Sequence, residues 1–356
     1  MEDKTGKNAL VITQGFLDKN DAKTAHGLIR GTKRYNIVGV LDENFAGKDA
    51  GEVLDGKKRD IPVFKDLEEA LSLLNEPVNY GIIGVATHGG YLPESLLKVA
   101  STFLEKGISM VNGLHDFISS KAEMVELANK HQASIIDIRK PKAFKDLHFW
   151  TGKINEVSTP KIAVLGTDCA IGKRTTAALL AASLNKDNIS TEMIFTGQTG
   201  WLQGHKYGFI FDATPNDFIS GEIEHSIYTC YKEANPQIML IEGQSALRNP
   251  SGPCGSEFLI SGKMDAVILQ HQPNRLYFDG EEEIGKIPDI LDEINLIKIY
   301  GVETMAISLN TTGLTLEEAQ KAKAELKEKT KLPVVLPLEE GVEELANLLC
   351  ERFNLK

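Results

Sequence analysis

Short apolar runs rich in β-branched residues alternate along this chain with longer stretches whose apolar positions recur at helical spacing. In the first half the runs Ala9–Thr13, Ile37–Asp42, Ile61–Phe64, Tyr80–Ala86, Ile108–Asn112 and Ala133–Asp137 predict strands. The stretches Lys23–Lys33, Leu67–Leu74, Glu94–Glu105 and Ser119–Lys130 predict the helices between them. Strand followed by helix, repeated, implies crossover connections and therefore a parallel sheet covered on both faces. That is a Rossmann-like α/β domain.

The rhythm breaks between Arg139 and Pro160, where Pro141, Trp150 and a polar run from Thr151 to Thr159 interrupt it. A domain boundary placed there divides the chain into a Rossmann-like domain, residues 1–145, and a second α/β domain, residues 146–356. The second half restarts with the strand Lys161–Leu165 and a helix over Thr175–Leu184. Further strands are expected at Thr191–Thr196, Ile238–Glu242, Ala266–Gln270, Thr304–Leu309 and Val334–Leu336. Helices are expected at Asp217–Glu233, Ile287–Ile299, Leu316–Lys329 and Gly341–Phe353.

Composition narrows the function classes. The 356 residues suffice for two ordinary cores, and 42% apolar with 25% charged residues is globular composition. A net charge of −11 argues against a general nucleic-acid binder, which needs a basic face for backbone phosphates. No apolar run reaches the roughly 18 residues that would suggest a membrane span. The opening Met1–Lys7 is charged and does not read as a signal peptide. Cys169, Cys230, Cys254 and Cys350 form no CxxC pair and no cluster with histidine, so no metal site is expected. Reduced thiols in a cytoplasmic protein are the simplest account.

One motif carries chemistry. After the strand ending at Leu165 come Gly166, Thr167, Asp168, Cys169, Ala170, Ile171, Gly172 and Lys173, then Arg174, Thr175 and Thr176 opening a helix. Phosphate binding needs this arrangement: glycines let backbone N–H groups turn inward, the helix start supplies positive potential, and lysine adds a full charge. The motif departs from the ordinary P-loop, with five residues rather than four between glycine and Gly-Lys and with Arg174 where a hydroxyl normally follows the lysine. It resembles the Gly-Thr-Asp-x-x-x-Gly-Lys loop of dethiobiotin synthetase and its relatives. A magnesium ion would have to use Thr175 or Thr176; two cations beside a displaced hydroxyl suit a phosphate that needs no metal, as in coenzyme A.

Other residues are weaker candidates. Gln198 and Thr199 lie in a glycine-rich stretch after a strand and fit a substrate loop or a plain surface loop. Glu242 ends a strand inside an apolar run, where an acid directs a metal or takes a proton. Asp217 reads equally as a catalytic carboxylate or a helix cap, and Asn216 could be that cap instead. Arg248 and Arg275 follow successive strands and suit two-point binding of a carboxylate. His271 is the candidate acid–base histidine, with ordinary loop placement as the alternative. In the first half, Thr87–Tyr91 could line a crevice, His115-Asp116 is a weaker pair, and no Gly-x-Gly-x-x-Gly follows the first strand.

Taken together, Gly166–Thr176, then Gly197–Gly200, Glu242–Ser245 and His271–Arg275 resemble the DgcN-like family, over nearly the whole chain. The resemblance implies a Rossmann-like domain joined to a P-loop domain, and activity as a D-glutamate N-acetyltransferase using acetyl-CoA in D-amino-acid metabolism. It carries the phosphate loop onto Gly166–Thr176 and the acidic strand end onto Glu242. Ser245-Ala246 stands where members often have Gly-Ser, and the stretch after Leu247 diverges, which bears on substrate rather than fold. The expected reaction moves acetyl from acetyl-CoA to the amine of an acidic amino acid. Glu242 or Asp217 would take the proton, and Arg248 or Arg275 would hold carboxylates. The alternatives are an ATP- and Mg²⁺-dependent carboxylate–amine ligase or kinase, and a non-catalytic nucleotide sensor. Expected partners are a small-molecule substrate and further copies of the chain, with no nucleic acid and no membrane.

Overall fold

The computed structural model describes residues 7–355, so the reading of Met1–Lys7 as no signal peptide falls, but for Lys7, outside the described residues. The chain forms two compact units. The first runs to Pro141 and also takes Gln198–His205; the second consists of Lys142–Gly197 and the chain from Lys206 onward. Among the described residues, no helix is long and apolar enough to cross a membrane.

In the first unit β1 (Lys7–Ile12), α1 (Lys23–Arg30), β2 (Tyr35–Leu41), α2 (Ala50–Asp55), β3 (Val63–Phe64) and α3 (Leu67–Leu73) form the leading half. Then come β4 (Tyr80–Ile83), α4 (Glu94–Glu105), β5 (Ser109–Asn112), α5 (Ala122–Lys130) and β6 (Ile135–Asp137). The strands lie in the order β3-β2-β1-β4-β5-β6, every pair parallel, around a core that includes Leu10, Ile12, Ile82 and Phe103. This is the strand order of the Rossmann fold. Each expected strand and helix of this half is present. Helix α2 is additional: Asp49 caps it, accepting from Gly51 N (2.9 Å) and Glu52 N (3.1 Å). At the end of β2, where a dinucleotide-binding fold keeps its ribose acid, Asp42 is fully buried. It already accepts from the Thr13 hydroxyl (2.7 Å), Leu17 N (3.0 Å) and Asn44 N (3.1 Å).

The second unit begins with a strap. Glu222 is wholly buried and accepts from Lys142 Nζ (2.6 Å) and His148 N (3.0 Å). Glu224 accepts from Thr151 N (2.6 Å) and Ile154 N (3.1 Å). These bonds lay the polar stretch that breaks the sequence rhythm along α8 (Asn216–Ala234). Before that helix come β7 (Lys161–Gly166), α6 (Lys173–Lys186), β8 (Thr191–Phe195), α7 (Gln198–Leu202) and β9 (Tyr207–Gly208). After it come β10 (Ile238–Glu242), α9 (Ser256–Ser261), β11 (Ala266–His271), α10 (Ile290–Ile299) and β12 (Thr304–Leu309). The chain closes with α11 (Leu316–Thr330), β13 (Val334–Val335) and α12 (Glu343–Phe353).

The second sheet has the order β13-β12-β11-β7-β10-β8-β9, again wholly parallel. Alternation along β7 shows both faces covered. Ala163 and Leu165 join a core with Ile223, Phe258 and Ile297, while Ile162 and Val164 join Leu180, Leu184 and Leu349. The chain leaves β7 toward β8, returns to insert β10 between them, and then passes to β11 on the other side. The carboxyl end of β7 is therefore a topological switch point, the place where open α/β sheets bind ligands.

Candidate functional site

The loop after β7 occupies that switch point. Thr167 N donates to Gln270 O (3.1 Å), tying the loop to the neighbouring strand end. Gly172 caps α6 with φ of +106°, a conformation side chains rarely adopt, and Ala170 is also left-handed at +53°. Lys173 is the first residue of α6, whose opening N–H groups have no partners within the helix. Its ammonium is folded back over the loop, donating to Asp168 O (2.6 Å) and Ser245 O (2.8 Å). Only 6% of the residue is exposed, and burial pulls its pKa below the ordinary lysine value.

Beneath the loop the hydroxyls are already engaged. Thr176 is 1% exposed, donates to Gln270 Oε1 (2.7 Å) and contacts Ser308 Oγ (3.0 Å). Its position in the first turn of α6 turns it down into the sheet, so of the two threonines weighed for magnesium only Thr175, half-buried, remains open to that role. Thr167 Oγ1 meets His271 Nδ1 at 2.9 Å. Burial lowers the His271 pKa to about 4. This corrects the expectation of an acid–base histidine titrating near neutrality: His271 is uncharged there and is a partner of the loop threonine.

Asp168 ties three segments together. It is fully buried and accepts from Asn249 Nδ2 (3.0 Å), Arg275 Nη1 (3.0 Å) and Asp279 N (2.9 and 3.1 Å to its two oxygens). Burial raises its pKa, against the pull of the Asp279 N–H and the Arg275 charge. Next to it the Cys169 thiol donates to Ser245 Oγ (3.2 Å), and burial raises the pKa of that thiol. Ser245 itself holds a left-handed φ of +35°. Asp168, Cys169 and Asp279 bring possible ligand atoms within 4.8 Å of one another, but a guanidinium already supplies positive charge on Asp168.

Glu242 ends β10, beside β7. Gly243, next along, approaches β7 so closely that a Cβ there would lie 2.5 Å from Val164 O. The Glu242 carboxylate is 5% exposed and accepts from Thr196 N (2.9 Å) and Gly197 N (3.3 Å). Burial raises its pKa, opposed first by the charge of Arg174 and then by these two N–H groups. The remaining candidates separate from this group. Asp217 is exposed in the first turn of α8, and neither it nor Asn216 caps the helix, because Pro215 occupies the cap without a side-chain bond. Arg248 is no free clamp: its Nε donates to Glu293 (2.7 Å), a residue 3% exposed. Gln198 and Thr199 open α7 and are buried in the first unit, where Thr199 Oγ1 meets Thr24 Oγ1 at 3.3 Å. That corrects the plain surface loop, one of the two expectations for this stretch. Trp201 and Leu202 are the reason, packing into the first core. In the other glycine-rich stretch, Gly90 leaves room for the ring of His115, which a Cβ would approach to 2.4 Å.

Asn249, Gln270 and Asp279 are site residues that no sequence expectation named, and Ser245 entered only within the family resemblance, in the stretch Glu242–Ser245 and the departure at Ser245-Ala246. Gln270 and Asn249 each adjoin a residue that was singled out, His271 and Arg248, so strand-end position was the available signal. Asp279 lies in an irregular stretch, and nothing in the sequence marks it.

Residues 148–346 match the model of a domain of unknown function described as the DUF1611 C-terminal P-loop domain, and residues 43–141 match its N-terminal Rossmann-like counterpart. Over 276 residues the chain is 32% identical to a D-glutamate N-acetyltransferase of a Pseudoalteromonas species, covering 76% of this chain and 80% of that protein. It is 29% identical over 276 residues to a protein of the same name from Tritonibacter scottomollicae, covering 75% and 80%. The crystal structure of a DUF1611 family protein from Anabaena variabilis covers 97% of this chain and 100% of its own, with a TM-score of 0.88 at 26% identity.

Proposed function

The chain belongs to the DUF1611 family, whose Rossmann-like and P-loop parts it carries in that order, and on that premise we propose that it is an N-acetyltransferase. It moves the acetyl group of acetyl-CoA to the amine of an acidic amino acid, and the names of its relatives put D-glutamate first. The observation that carries the reading is the loop Gly166–Gly172 closed by Lys173, with Arg174 in the place of the usual metal-binding hydroxyl. Such a loop suits phosphates neutralised by protein charge. The opening N–H groups of α6 and Lys173 hold the coenzyme phosphates, with Arg174 adding charge.

Glu242 is the base. Burial raises its pKa, which makes it a stronger proton acceptor than a fully hydrated carboxylate. It takes a proton from the substrate ammonium. The free amine then attacks the thioester carbonyl, the C–N bond forms, the C–S bond breaks, and the departing coenzyme thiolate takes up a proton. An ATP- and Mg²⁺-dependent ligase or kinase is less well supported, because Thr176 is committed to Gln270 and Ser308.

Calorimetric titration with acetyl-CoA, followed by mass spectrometry of a reaction with D-glutamate, tests the proposal. Binding together with formation of N-acetylglutamate and free coenzyme A is expected. Absence of binding at millimolar acetyl-CoA, with stabilisation by ATP only when Mg²⁺ is present, would overturn it in favour of the nucleotide reading.

A further inference from the structure

The two arginines that follow successive strands of the second unit have different freedom. Arg248 spends Nε on Glu293 (2.7 Å) and Nη2 on Asp289 O (3.3 Å), and its Nη1 lies 3.8 Å from Asp292. Each nitrogen is engaged by its own unit, and drawing the side chain away would strand the buried carboxylate of Glu293. Arg275 is held through Nη1 alone, by Asp168 at 3.0 Å. Among the described residues no hydrogen bond or ion pair uses its Nε or Nη2, and 18% of the side chain stays exposed.

Asp168 is poorly suited to bind a ligand directly. It is part of the phosphate loop, yet it is wholly buried and fixed by Asn249 and Asp279 N as well as by the guanidinium. What it does is aim Arg275. With Nη1 pinned, the Nε–Nη2 edge is left as a rigid pair of parallel donors, the geometry that a carboxylate accepts with both oxygens. The Asp168–Arg275 pair carries little net charge, so it selects by the shape of its donor edge more than by field strength. The phosphates are left to Lys173, Arg174 and the start of α6.

We infer that Arg275 holds a carboxylate of the acidic acceptor and that Asp168 is its positioning residue, built into the phosphate loop. The inference rests on the acetyl-transfer reading and adds to it the residue that selects the acceptor. It also couples the two subsites, since the loop that takes the coenzyme carries the carboxylate that orients the arginine.

The test compares the full-length protein with Arg275→Gln, which leaves Asp168 a donor, and Asp168→Asn, which keeps its acceptor oxygen without the charge. Initial rates are measured with D-glutamate and D-glutamine, and D-glutamate binding is measured by calorimetry in the presence of coenzyme A. In Arg275→Gln the glutamate KM is expected to rise roughly tenfold or more and the preference over glutamine to vanish, with the acetyl-CoA KM within about twofold. Asp168→Asn is expected to raise the glutamate KM by a smaller factor, with kcat less affected. A raised acetyl-CoA KM with acceptor preference intact would assign Arg275 to the phosphates and overturn the inference. So would a loss of kcat with both KM values unchanged, the mark of a merely structural tie. A wild-type protein that binds no acetyl-CoA would sink the parent reading instead. D-glutamate binding that is still lost in Arg275→Gln would then support the arginine's role independently, and binding that persists would overturn it.

Discussion

Replacing Lys173 with methionine tests the anion site at its centre. The ammonium donates to Asp168 O at 2.6 Å and Ser245 O at 2.8 Å, and among the described residues it makes no third hydrogen bond. Methionine keeps the length and removes the charge. In the free protein the loss of two charge-assisted bonds, about 1.5–3 kcal/mol each, is offset by the relief of a buried charge worth several kcal/mol. The two effects nearly cancel, so the melting temperature should stay within a few degrees of the wild type. The bound state has no such compensation. One charge about 4 Å from a phosphate oxygen, at an effective dielectric constant of about 20, contributes about 3–4 kcal/mol, or roughly 10²–10³ in affinity. Calorimetry with acetyl-CoA reads the affinity, and the thermal shift at saturating ligand reads it again by linkage. A variant that binds within about threefold of the wild type would refute the premise that Lys173 and the start of α6 form the phosphate socket.

Thr176→Val strands Gln270 Oε1 and deprives Ser308 of a partner, at about 1–3 kcal/mol and roughly 3–8 °C in melting temperature. Ligand affinity measured with and without Mg²⁺ should be unchanged; a selective loss of Mg²⁺-dependent binding in a fully stable variant would make Thr176 a metal ligand after all. Arg248→Ala leaves Glu293, whose Oε1 has no partner among the described residues, as an unpaired buried charge. Denaturant unfolding should register about 3–5 kcal/mol, and adding Glu293→Gln should recover much of it. Glu242→Gln should lower kcat by roughly 10²–10⁴. Because the folded protein holds the Glu242 proton more tightly than the unfolded chain, the stability this gives is present at acid pH and lost as pH rises through the folded pKa. The melting temperature of Glu242→Gln should therefore gain on the wild type from acid to neutral pH, and a constant difference would show that Glu242 does not titrate as its burial implies.

Much of the fold was legible because buried parallel strands leave an unmistakable pattern. Runs such as Ile82-Ile83 and Ile162-Ala163-Val164-Leu165 are apolar at every position, since both faces of each sheet are covered. The elements that escaped are short or have their signal diluted. Helix α2 opens Ala-Gly, β9 is the dipeptide Tyr207-Gly208, and α7 carries Gly200 in its middle. Assigning Gln198–His205 to the second half failed for a different reason. Its attachment to the first unit is made by Arg34 Nε on Trp201 O (2.7 Å) and Thr32 Oγ1 on Leu202 O (2.8 Å), contacts between residues far apart in sequence. No local pattern encodes them. The strap from Lys142 to Ile154 is similar: its polar composition reads as a linker, yet its donors are satisfied by two buried glutamates on α8.

The candidate site divides along the same line. Backbone chemistry was readable, because a loop that leaves its strand at Gly166, where a Cβ would crowd the Lys173 side chain at 3.0 Å, and caps a helix at Gly172 advertises itself by residue type and spacing. Side-chain pairing was not. Arg248 and Arg275 look equivalent as sequence, each a guanidinium just past a strand, and only their partners distinguish them. Glu293 lies 45 residues beyond Arg248, and Asp168 lies 107 residues before Arg275. The same holds for titration: His271 is polar by type and uncharged by burial, a property set by what the fold packs around it. A charged residue at a strand end is therefore only a candidate for ligand binding until its partners are known. An arginine with every nitrogen engaged by its own unit, as Arg248 is, is structure, and one pinned at a single nitrogen by a buried acid is a tool held ready. On that distinction Arg275, rather than Arg248, is the side chain whose removal should change what the protein binds.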